Sequence, residues 1–75
     1  MHDLKNIFIF KTNIRCGDDK LAVKQVLEGN ELIEQWSVDI NDCDCVLRVV
    51  SQALNKQDII ALVTGSGFYC EELID

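Results

Sequence analysis

Four cysteines carry most of the chemistry this chain could do, and they fall in three places: Cys16 before Gly17-Asp18-Asp19, Cys43 and Cys45 on either side of Asp44, and Cys70 near the end. Thiolates are the protein's nucleophiles and soft-metal ligands, so these positions point first to metal or redox chemistry. Cys16 is one thiol where a soft-metal site wants two, and the nearest further donors along the chain are the carboxylates of Asp18 and Asp19. Cys43-Asp44-Cys45 is better supplied, because Asp42 and Asp44 add oxygen ligands and negative charge to two sulfurs. Other chemistries lack their parts. There is no Ser-His-Asp set, the one histidine is the near-terminal His2, and Gly65-Ser66-Gly67 has no helix after it to cradle a phosphate. We therefore expect no catalytic site.

The elements that must position these groups can be read from the pattern. Ile7, Phe8, Ile9 and Phe10 form a β-favouring run bracketed by Lys5 and Lys11, which predicts a central strand over 5–11. Asp18 offers a helix N-cap, Ala22, Val23, Val26 and Leu27 recur at helical spacing, and Gly29 suits a left-handed stop, so a helix is predicted over 19–28. Trp36, Val38 and Ile40 alternate with Ser37 and Asp39, and a second β-type run over 45–50 follows a polar tip at 41–44. The hairpin register that buries most apolar surface pairs Ile40 with Cys45, Val38 with Leu47 and Trp36 with Val49.

Asn55 followed three residues later by Asp58 predicts a capping box, with Ile59, Leu62 and Val63 on one face of a second helix that Gly65 ends. The run 68–74 carries charge in its middle, as an edge strand does. The order β-α-β-β-α-β predicts an α+β fold of the ferredoxin-like type over 1–75 as one domain. Its four-stranded antiparallel sheet has strand order 4-1-3-2, with both helices on one face. Chain direction then gathers the loop bearing Cys16, the tip bearing Cys43 and Cys45, and the turn leading to Cys70 at one pole.

With that order in hand, the loop residues resemble those of the heavy-metal-associated domain family, the copper and zinc chaperones and the soluble modules of metal-pumping ATPases. That family carries Met-x-Cys-x-x-Cys in the first loop, a Val four and a Leu seven residues past the second Cys, and a Gly-aromatic pair after the second helix. Here the stretch reads Ile14-Arg15-Cys16-Gly17-Asp18-Asp19, with Val23 and Val26 at the later spacings and Gly67-Phe68 as the pair. The resemblance spans nearly the whole chain. It implies Cu(I) or Zn(II) binding centred on Cys16, with Asp19 in the place of the second ligand and Ile14 in that of the Met packed under the loop. One thiolate and one carboxylate make a poor Cu(I) pair, since soft metals prefer sulfur.

Each candidate also has a plainer reading. Cys16, at the start of a helix beside Arg15, is placed as a ligand or redox-reactive group, or is a loop thiol with nothing to bind. Asp19 in the first helical turn is either a ligand or a charge favoured by the helix dipole. Cys45, pointing inward in the hairpin register, and Cys70, two residues past Phe68, serve as packing if not as ligands. Trp36, Phe8 and Phe10 read as core.

Composition bounds the partners. Seven basic against thirteen acidic residues give a net charge of −6, which opposes nucleic acid. No apolar stretch approaches the ~20 residues that cross a bilayer, and the first residues lack a signal-peptide pattern, so we expect no membrane partner, a cytoplasmic location and free or metal-bound thiols. With Phe8 and Phe10 facing the helices, Ile7 and Ile9 share the open sheet face with Val46 and Val50. That apolar patch is a candidate surface for a protein partner or a homodimer.

Overall fold

The computed structural model describes residues 6–73. His2, Lys5 and Ile74 lie outside the described residues, and with them the predicted outer ends of the first and last strands. The elements are β1 (Asn6–Thr12), α1 (Gly17–Glu28), β2 (Gln35–Val38), β3 (Leu47–Ser51), α2 (Lys56–Gly65) and β4 (Cys70–Glu72). The sheet is antiparallel at each strand pair and runs β2-β3-β1-β4, the expected order read from the other edge.

Cross-strand rows explain which face is covered. Val38, Leu47 and Phe10 lie side by side, as do Trp36, Val49 and Phe8, and these rows meet Val23 and Leu27 of α1 and Ile59 and Val63 of α2 in one core. Each such side chain contributes about 1.5–3 kcal/mol when fully buried, so the helices are held by the sheet more than by their own propensity. The next row, Gln35, Val50 and Ile7, faces away from the helices, and Ile7 is 65% exposed. Both helices therefore cover one face, as expected.

The helix ends show where local chemistry differs from the sequence reading. α2 has its capping box: the Asn55 side chain accepts from the Asp58 N–H at 2.9 Å, and the Asp58 carboxylate accepts from the Asn55 N–H at 3.0 Å. α1 begins two residues earlier than predicted, with Cys16 rather than Asp18 at the N-cap. The reason is Asp19, whose carboxylate reaches back to accept from the Arg15 N–H at 3.1 Å and so carries the helical turn to Gly17.

Gly29 does not take the left-handed stop expected of it. It stays in the right-handed region, where a Cβ would come within 2.9 Å of the Gln25 carbonyl oxygen, so close approach is what favours glycine there. Gly67, at φ +95°, takes the left-handed position after α2.

The hairpin keeps two of its three expected pairs. Trp36 meets Val49 and Val38 meets Leu47, but Ile40 does not pair with Cys45, because the ladder ends before them. Asp39 and Asp42 each fold the chain onto themselves by accepting the N–H two residues on, from Asn41 at 3.0 Å and Asp44 at 2.8 Å. The connection is thus a wide loop over 39–46, closed at its base by the Asp39 N–H donating to the Val46 carbonyl.

Candidate functional site

Thr12, the last residue of β1, is the knot that draws the cysteine-bearing segments together. Its side chain is buried, its hydroxyl donates to the Cys45 carbonyl at 2.6 Å, and the same oxygen accepts from the Ile14 N–H at 3.2 Å. Its own N–H donates to the Asp44 carbonyl at 3.1 Å, and across the sheet it faces Cys70. One step further along the chain, the Asn13 side chain accepts from the Tyr69 N–H at 2.9 Å. The loop after β1, the 39–46 loop and the start of β4 therefore meet at one pole, as the topology predicted.

At that pole the four thiols divide by depth, and no disulfide joins them. Cys16 and Cys43 are exposed. Cys16 holds an extended backbone at the N-cap of α1, and its sulfur makes no capping hydrogen bond, which leaves it available to a ligand. Ile14 is fully buried beneath the loop and sets the rim over the core. Asp19 is half-committed, because one of its oxygens accepts the Arg15 N–H.

Cys43 lies between Asp42 and Asp44, and one ligand atom from each of the three falls within 4.8 Å of the others. Among the described residues this is the group of three donors that comes together; Cys16, Asp19, Cys45 and Cys70 do not join it. Lys11 stands 3.8 Å from Asp44, an exposed ion pair worth little to stability that places a competing cation beside those oxygens.

Cys45 and Cys70 are buried, at 6% and 7% exposure. Cys45 adopts φ +47°, the left-handed region that non-glycine residues enter at a cost of about 1 kcal/mol, and this turns the wide loop back into β3. Its inward orientation was expected, but that backbone produces it rather than a ladder pair with Ile40. Burial pushes the Cys70 thiol up from 9.0 to about 11, which keeps it protonated and poorly nucleophilic at neutral pH.

Thr12 is the residue that sequence reasoning missed. A threonine at the end of an apolar strand is an ordinary β-former, and nothing in its neighbours marks it as the tie between two loops.

A four-stranded antiparallel sheet in this order, with two helices on one face, is the fold of heavy-metal-associated domains. Solved structures agree. The chain is similar to the first domain of the human copper chaperone for SOD1, CCS, in its copper(I)-loaded form, with TM-score 0.78 and 22% identity over 91% of this chain and 92% of that one. It is also similar to the apo form of the corresponding domain of a copper chaperone for superoxide dismutase, with TM-score 0.76, 20% identity and coverage of 99% and 74%. Oxidized MerP from Ralstonia metallidurans CH34 superposes with TM-score 0.79 at 11% identity, over 93% of this chain and 99% of that one. No family model matches the sequence, and no curated protein does. At these identities the likeness is one of fold.

Proposed function

We propose that this domain is a small metallochaperone-like metal-binding protein whose weak or altered soft-metal binding centres on Cys16. The observation that carries the reading is the exposed Cys16 sulfur, free of any capping bond, at the β1-α1 junction of a fold whose neighbour was solved loaded with copper(I). Asp19, in the first turn of the same helix, has a second oxygen not used in its bond from the Arg15 N–H, and Cys43 with Asp42 and Asp44 supplies a further donor group at the same pole. Burial makes Cys45 and Cys70 the less accessible donors, to be recruited only if the loops move.

The donor set favours Zn(II) over Cu(I). Thiolate mixed with carboxylate suits a borderline metal, whereas Cu(I) gains its affinity from sulfur. Binding rather than catalysis is the work proposed. The location proposed is cytoplasmic, because reduced thiols persist there; among the described residues no helix is long and apolar enough to cross a membrane.

Titration of reduced protein with Zn(II) and with Cu(I) against a competing chelator tests this. The expected result is saturable binding that Cys16→Ser weakens by about tenfold or more, a loss of at least 1.4 kcal/mol. Equal affinity for protein and variant overturns the reading.

A second reading, a partner or dimer surface, is favoured by the open sheet face. Ile7 is 65% exposed and pairs with Val50 in the register, while the exposed Arg48 stands opposite Ile9 and between Val46 and Val50, so the four aliphatic side chains do not form the unbroken patch expected. A dimer in sedimentation that Ile9→Asp dissolves supports it, and a monomer at all concentrations removes the homodimer.

A further inference from the structure

We draw no further inference here: the strongest candidate, the side-chain cluster of Asp42, Cys43 and Asp44 in the 39–46 loop, belongs to the pole already described, and among the described residues no buried polar side-chain atom is left without a hydrogen bond to point to a ligand there.

Discussion

Cys16 and Cys43 form the rim of one pole of this domain, and Cys45 and Cys70 its floor, although Thr12 ties their segments into one structure. The residue type is the same and the environment is opposite. At the rim the sulfurs are exposed, Cys16 with no capping bond and Cys43 between two carboxylates. On the floor one thiol closes a left-handed turn, and burial pushes the other up to about 11. Position in the fold, more than the number of cysteines, decides which thiols are exposed and which are packed.

The contrast can be broken at its joint. Thr12→Val keeps the shape of the side chain but orphans the Cys45 carbonyl and the Ile14 N–H. Each such group costs about 1–3 kcal/mol, so we expect a loss of about 2–4 kcal/mol in urea unfolding. Cys45 should then label with maleimide faster in the folded state; an unchanged midpoint and unchanged labelling would dissolve the distinction between rim and floor.

Substituting the floor thiol comes next. Cys70→Ser buries a hydroxyl in place of a small hydrophobe, with an expected cost of about 1–2 kcal/mol. The pH dependence follows from the same burial. With its folded pKa above its unfolded one, Cys70 keeps a proton that the unfolded chain loses, so stability falls as pH rises from 9.0 toward about 11. Unfolding midpoints of the wild type and Cys70→Ala across that range should converge as pH rises, and parallel curves would show that Cys70 is not the titrating group.

The rim should behave oppositely. Cys16→Ser is expected to change stability by less than about 0.5 kcal/mol, the ordinary range for a surface substitution, while reducing metal affinity. The smallest effect is expected at Cys45→Gly. Relief of about 1 kcal/mol of left-handed strain offsets the loss of a small buried side chain, leaving the unfolding midpoint nearly unmoved. A large loss there would mean that the Cys45 sulfur holds more than its own volume.

The sequence carried the architecture well where one physical signal dominated. The alternation of Trp36 and Val38 against Leu47 and Val49 set the register, because a slip by one residue would turn the apolar set outward. Asn55 and Asp58 announced their capping box for a similarly local reason. What stayed hidden depended on competition between local bonds. Asp39 and Asp42 each capture a backbone N–H and open the hairpin tip, and Asp19 captures that of Arg15 and moves the start of α1 onto Cys16. Those captures also decide the candidate site, since they set Cys16 at the helix start and bring Cys43 between its carboxylates. Spacing placed all four thiols at one pole but could not rank their depth, which rests on the Thr12 tie and the backbone of Cys45.

Metal-protected alkylation read out residue by residue tests the division most directly. Reduced protein, with and without Zn(II), is pulsed with iodoacetamide, and each cysteine is quantified by mass spectrometry. The account predicts that Cys16 and Cys43 label quickly without metal, that Zn(II) protects Cys16, and that Cys70 labels slowly in both conditions. Equal labelling of Cys16 with and without the metal, or protection appearing only at Cys70, would contradict it.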